Sequence, residues 1–279
     1  MLSCCSGLSS YVKENRQIST ISNPLVIIFV ATALSSSDYT NLATMFKSYK
    51  YDVEIVDSNR FSPIKTLDGI YNYLISSSFA SLIVGRTKVI CVGHSASASN
   101  LLNLFFSPDF SIKKNTILTT IPQIKDILLL DPVGLPAPGN ANPNAQILNS
   151  NGELCRKYQK VSALNAYIFG VMNNDISHNT QIDSSKDGGI YIFNKLVSIL
   201  PIKGVYIDSN NNITITSSII RPSKFTFPTY HSDFTNGGFF ISILNGSAND
   251  STYKVDPDGK TALNISTKIK QMVPLALEK

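Results

Sequence analysis

The sequence is poor in charge, in cysteine and in histidine, and each shortage narrows its chemistry. Only 15% of its 279 residues are charged against 43% hydrophobic, with 15 Gly and 13 Pro. That balance excludes a disordered, collagen-like or disulfide-scaffold protein, and the length suits one large domain or two small ones, a single α/β domain being the simpler expectation. The four cysteines, Cys4, Cys5, Cys91 and Cys155, fit neither a zinc knuckle nor a secreted disulfide framework, which predicts reduced thiols in a cytosol-like compartment. No basic tract underlies the net charge of +5. The densest pairs are Lys113-Lys114 and Arg156-Lys157, so no nucleic-acid partner is expected. The apolar run at residues 25–34 falls short of the about 20 residues that span a bilayer, and it has neither a basic region before it nor a clear cleavage site after it. Neither a transmembrane segment nor a signal peptide is read there, and a cytoplasmic location is expected. Internal repeats and glycine-rich phosphate loops are missing as well.

What is present is an alternation of strand and helix. Residues 1–22 are polar and aperiodic and read as an arm or lead-in strand; residues 23–279 read as one domain. Residues 24–30 (PLVIIFV) are continuously apolar and β-branched, the pattern of a strand buried on both faces. Residues 38–49 carry Leu42, Met45 and Phe46 at helical spacing behind a Ser37 or Asp38 cap. A second strand at 51–57 precedes a helix opened by Ser62-Pro63 with Ile64, Leu67, Ile70, Tyr71 and Leu74 on one face. Further strands are read at 88–92, 127–130, 163–171 and 225–227, with helices at 98–106, 190–200 and 263–273, the last stopped by Pro274. Residues 132–160, rich in Pro, Gly and Asn, read as a loop or cap insertion. The fold class that follows is α/β, with a mostly parallel central sheet covered by helices on both faces.

One segment has the context for nucleophilic chemistry. Residues 88–99 run from a buried strand through Gly93-His94-Ser95-Ala96-Ser97 into a helix, with Ser95 at the apex. In a G-x-S-x-G nucleophile elbow the sharp turn lifts the serine hydroxyl above the sheet, and small residues two before and two after it let strand and helix pass closely. Here the last position is Ser97. A serine nucleophile needs a histidine base held by a carboxylate, in the chain order serine, acid, histidine for this arrangement. Of the three histidines, His94 sits within the elbow and reads as a packing residue, and His178 reads as a surface residue of a polar loop. His231, late in the chain after the last short strand, is the candidate base. Two carboxylates compete to orient it, Asp131 at the end of the fourth strand and Asp175 after the fifth, both expected at the carboxyl edge of the sheet, where open α/β folds bind ligands.

The elbow Gly93-His94-Ser95, the strand end Asp131-Pro132-Val133 and the segment His231-Ser232-Asp233-Phe234 together resemble the α/β-hydrolase superfamily, in particular its lipase and chlorophyllase-type branch. The likeness runs from about residue 24 to residue 234. It implies a single hydrolase domain that cleaves a carboxylic ester, of a lipid or another hydrophobic acyl compound, with Ser95 as nucleophile, His231 as general base and Asp131 as acid. Members that place the acid after the next strand would select Asp175 instead. An oxyanion hole is implied at the backbone N–H groups of Thr32 or Ala33 and of Ala96. No metal or cofactor is needed, and the expected partner is a small-molecule ester. The chain departs from the family by lacking the usual His-Gly after the first long strand, where it has Val30-Ala31-Thr32-Ala33-Leu34, and by carrying Ser97. These departures define the alternative: a catalytically degenerate hydrolase-fold protein that binds a hydrophobic ligand or a protein partner. Residues 101–110 and 132–143 are read as acyl-pocket walls or as core and loop.

Overall fold

The computed structural model describes residues 23–31, 34–57, 66–134, 143–170, 188–208, 210, 212–220, 231–236 and 260–278. Among the described residues seven strands form one sheet: β1 (Leu25–Phe29), β2 (Asp52–Val56), β3 (Val89–His94), β4 (Ile124–Leu130), β5 (Asn165–Phe169), β6 (Ile202–Ile207) and β7 (Ile213–Thr216). Their order is β2-β1-β3-β4-β5-β6-β7. The first six run parallel and β7 turns back antiparallel on β6. After β1 the chain steps outward to β2 and then returns to place β3 on the other side of β1. The carboxyl ends of β1 and β3 thus stand at the reversal of strand order, the place where ligands bind in open sheets.

Among the described residues seven α-helices cover the sheet: α1 (Thr40–Ser48), α2 (Leu67–Leu74), α3 (Ser77–Leu82), α4 (Ala96–Phe106), α5 (Ser111–Thr120), α6 (Gly189–Leu196) and α7 (Lys260–Glu278). Because alternate side chains of a strand point to opposite faces, β1 divides its apolar run between two cores. Leu25, Ile27 and Phe29 join residues of α2 through α6 on one face. Val26, Ile28 and Val30 join α1, α7 and Phe234 on the other. Both faces of the central strands are therefore dry, which is why β1, β3 and β4 read as continuous apolar runs and not as alternating ones. Leu101, Leu102, Leu104, Phe105 and Phe106 belong to the first of these cores, so this part of 101–110 is core.

Several elements differ from the sequence reading, which places no helix at α3 or α5. Residues 202–207 and 213–216 form a hairpin, β6–β7, where no strand is expected. The tight connection is built by Asp208, whose Oδ1 accepts the N–H groups of Asn210 and Asn212 at 2.9 Å each. Helix α7 also runs through Pro274 to Glu278 and does not stop there. An interior proline forfeits one backbone hydrogen bond and costs about 3 kcal/mol. Burying Ile269, Met272, Val273 and Ala276 against the sheet outweighs it, at about 1.5–3 kcal/mol for each large apolar side chain. The strand read at 225–227 and the arm at 1–22 lie outside the described residues. Residues 143–160 are anchored: Ile147 and Leu148 are fully buried. Among the described residues no helix is long and apolar enough to cross a membrane.

Candidate active site

The chain turns sharply at Ser95 between β3 and α4. Ser95 has φ 58° and ψ −125°, a conformation that a residue with a side chain holds only when its surroundings enforce it, at about 1–3 kcal/mol. Its N–H donates to the Leu130 carbonyl at 3.0 Å, and its carbonyl accepts the Ser99 N–H at 3.1 Å. The turn is thus gripped by β4 on one side and by the first turn of α4 on the other. Gly93 is required: a Cβ there would lie 2.7 Å from the Ala98 nitrogen and 2.8 Å from Leu101 Cδ1. Ser97, fully buried at the second small position, donates its hydroxyl to the Val30 carbonyl at 2.6 Å. Ala96 opens α4, so its N–H has no partner within the helix and sits at the end of the dipole that favours negative charge.

Asp131 follows β4, also at positive φ (39°) and 1% exposed. Its N–H donates to the Phe169 carbonyl at 2.7 Å. Its two carboxylate oxygens have separate duties. Oδ1 accepts the Gly189 N–H at 2.7 Å, and Oδ2 meets His231 Nδ1 at 2.6 Å. Of the two candidate acids, then, Asp131 is brought to His231; Asp175 lies outside the described residues, as do His178, Thr32 and Ala33. The Gly188-Gly189 pair that opens α6 makes this possible, because any side chain at Gly189 would collide with Asp131.

His231 starts a short 3₁₀ turn (His231–Phe234) held from several directions. Asn236 fastens the turn to the start of α1: its N–H donates to the Asp38 carbonyl at 2.7 Å, and its side-chain nitrogen donates to the Ser37 carbonyl at 2.5 Å and to Thr40 Oγ1 at 2.8 Å. Helix α7 packs on the same turn, with Lys270 close enough to Asp233 to feel its charge. From below, the His94 ring lies against the His231 ring, centroids 4.5 Å apart at an interplanar angle of 31°.

His94 is buried and packs, as its place in the elbow suggests, but it also bonds at both ends. Nε2 lies 3.0 Å from the His231 carbonyl and Nδ1 lies 2.7 Å from the Tyr39 hydroxyl. A carbonyl can only accept, so Nε2 carries the proton and Nδ1 accepts from Tyr39. Tyr39 in turn accepts the Ala31 N–H at 3.0 Å. Burial drives the Tyr39 phenol far above its ordinary range, so the hydroxyl stays a donor. Ala31 is thereby committed to Tyr39 and is not available to a bound substrate.

Sequence reasoning did not find Tyr39, Gly189 or Asn236. The Gly-Gly pair ahead of an apolar helix was a usable signal of close backbone approach. Tyr39 and Asn236 act through position alone and leave no motif.

No protein-family model matches the chain, and no curated protein matches it in sequence. Among solved structures it is similar to a Bacillus cereus carboxylesterase, at 10% identity and a TM-score of 0.37, over 66% of this chain and 78% of that one. It is also similar to a candidate thioesterase from a Silicibacter species, at 13% identity and a TM-score of 0.38, over 65% of this chain and 68% of that one. On its own strand order, with six parallel strands, an antiparallel edge and helices on both faces, the chain is a single-sheet α/β protein consistent with the α/β-hydrolase fold.

Proposed function

We propose that this protein is a serine hydrolase of carboxylic esters, with Ser95 as nucleophile, His231 as general base and Asp131 as the acid that orients it. The observation that carries the reading is the buried 2.6 Å contact between Asp131 Oδ2 and His231 Nδ1, with Ser95 held at positive φ one residue beyond His94, the ring on which His231 stacks. His231 Nδ1 carries the proton that Asp131 accepts, leaving Nε2 as the base. His231 takes the proton of Ser95 as its Oγ attacks the carbonyl carbon. The negative charge that develops on the carbonyl oxygen is met by the Ala96 N–H and by a donor at Thr32 or Ala33. Collapse expels the alcohol with the proton from His231, and water, deprotonated by the same imidazole, releases the carboxylic acid and restores Ser95. The substrate proposed is an ester with a hydrophobic acyl group, accommodated beside the apolar, proline-rich stretch that leaves Asp131. The domain proposed is residues 23–279, with 132–160 as a cap-like insertion.

A fluorophosphonate should label Ser95, and short- and long-chain nitrophenyl esters should turn over. Ser95→Ala and His231→Ala should abolish both, and Asp131→Asn should lower kcat by about 10⁴-fold while leaving binding in place. A pure, folded protein that neither labels nor hydrolyses any of these esters would contradict the reading and favour the degenerate binding protein.

A further inference from the structure

The Val30–Ala31 peptide unit, where β1 ends, is held at both of its polar ends. Its carbonyl accepts the Ser97 hydroxyl at 2.6 Å, and its N–H donates to the Tyr39 hydroxyl at 3.0 Å. In a trans peptide the carbonyl and the N–H point in opposite directions, so the two bonds fix the orientation of the plane and forbid its flipping. The side chains that provide them come from opposite sides. Ser97 belongs to α4, in the turn that follows the nucleophile. Tyr39 lies at the entrance to α1 and is itself steadied by His94, the residue before the nucleophile. Ser97, Tyr39 and His94 are each buried.

We infer that Ser97 and Tyr39 are positioning residues for the oxyanion hole: together they fix the Val30–Ala31 peptide, the unit that precedes in sequence the donors proposed at Thr32 or Ala33. This inference rests on the ester-hydrolase reading and deepens it. A glycine at this exit would reach the required backbone geometry unaided; this chain has none between Val30 and Leu34 and fixes the exit with two hydroxyls instead. Ser97, which departs from the elbow glycine, is on this view a working part of the site. Restoring glycine there should damage the enzyme. Through Tyr39 and His94 the same network reaches the His231 carbonyl, so the oxyanion exit and the base turn share one support.

The test compares a nitrophenyl ester with its thionoester, in which sulfur replaces the carbonyl oxygen. Sulfur accepts hydrogen bonds weakly, so the ester preference reports on the oxyanion donors and not on general integrity. The wild type should prefer the ester by about 100-fold, the scale of one such donor. Ser97→Gly, Ser97→Ala and Tyr39→Phe should each lower kcat on the ester by about tenfold with KM nearly unchanged, and should leave the thionoester rate almost untouched, so that the preference shrinks. Ser97→Thr, which keeps the hydroxyl, should retain it. Thermal midpoints verify folding, and if the Ser97 variants do not fold, Tyr39→Phe decides alone. A parallel fall on both substrates, or an unchanged preference in the variants, overturns the inference and leaves the ester-hydrolase reading intact. A wild type inert to fluorophosphonate and to both substrates overturns that reading and this inference with it.

Discussion

A methyl group added at Gly189 would stand 2.8 Å from Asp131 Oδ1 and 2.8 Å from the Phe169 carbonyl oxygen. Neither neighbour can yield cheaply, since one is the buried carboxylate and the other is ladder backbone. Gly189→Ala should therefore shift Asp131, and with it His231, and lower kcat by about 100-fold, the scale of an ångström-sized misplacement. Steady-state kinetics beside a thermal midpoint will separate this from unfolding. At this scale the residues legible in the sequence are those whose type suits the proposed chemistry: Ser95 at the turn after β3, His231 among three histidines, Asp131 at the end of β4. Gly189, Tyr39 and Asn236 matter for where they stand. Between Asp131 and Asp175 the residue types alone decide nothing, since two carboxylates following adjacent strands look alike, and only the family resemblance favours Asp131; Asp131 stands beside the imidazole, and Asp175 lies outside the described residues.

Helix α4 illustrates what an element contributes beyond its residues. Its polar side chains gather the loops around the site. Ser99 Oγ donates to the Val133 carbonyl at 2.7 Å and accepts the Val133 N–H at 3.1 Å. One turn further along, Asn103 Nδ2 donates to the Asn144 carbonyl at 2.7 Å and the Gln146 carbonyl at 3.2 Å, while its Oδ1 accepts the Tyr158 hydroxyl at 2.7 Å. Residues four apart share a helix face, so α4 fastens Val133, Asn144, Gln146 and Tyr158 along a single stripe. Asn103→Ala would strand the buried Tyr158 hydroxyl and take a donor from the half-buried Asn144 and Gln146 carbonyls; at 1–3 kcal/mol for a buried unsatisfied group, a loss of about 2 kcal/mol is expected. A denaturant midpoint measures it, and faster proteolysis within 132–160 should accompany it. The buried strands were legible because both of their faces are apolar. The β6–β7 hairpin was less legible, because β6 mixes Lys203 and Gly204 among its apolar residues and β7, though it alternates Ile with Thr as a strand does, is only four residues long. The course of α7 past Pro274 was hidden for another reason: tertiary burial outweighed a local rule.

Taken whole, the molecule is two apolar bodies separated by one sheet, and its stability carries a pH signature from the second body. Lys270, 4% exposed on α7, is pushed down to about 8 from the ordinary 10.5 by burial, against the opposing pull of Asp233. Between those two values the unfolded chain holds a proton that the folded chain does not, so folding stability should rise as pH rises from about 8 to about 10.5. At 1.36 kcal/mol per pKa unit the contribution across this window is on the order of 3 kcal/mol. Urea melts at a series of pH values should show the rise in the wild type and its loss in Lys270→Met; a wild type without it would place Lys270 in a wetter setting. The α/β class and the parallel sheet were legible at this scale from the alternation of strand and helix alone, whereas the strand order was not, because no local pattern records which strands become neighbours.

The order β1-β3-β4 makes the sheet a ruler. Val30, Ser95 and Asp131 each leave one of three adjacent strands, so their lateral separations are multiples of the about 4.8 Å interstrand repeat, a length set by backbone hydrogen bonding and indifferent to sequence. Segments spliced in after Val133 or after Phe169 can lengthen, shorten or exchange without stretching that scale. Such a chain can drift far in sequence while the spacing of Val30, Ser95 and Asp131 is inherited unchanged.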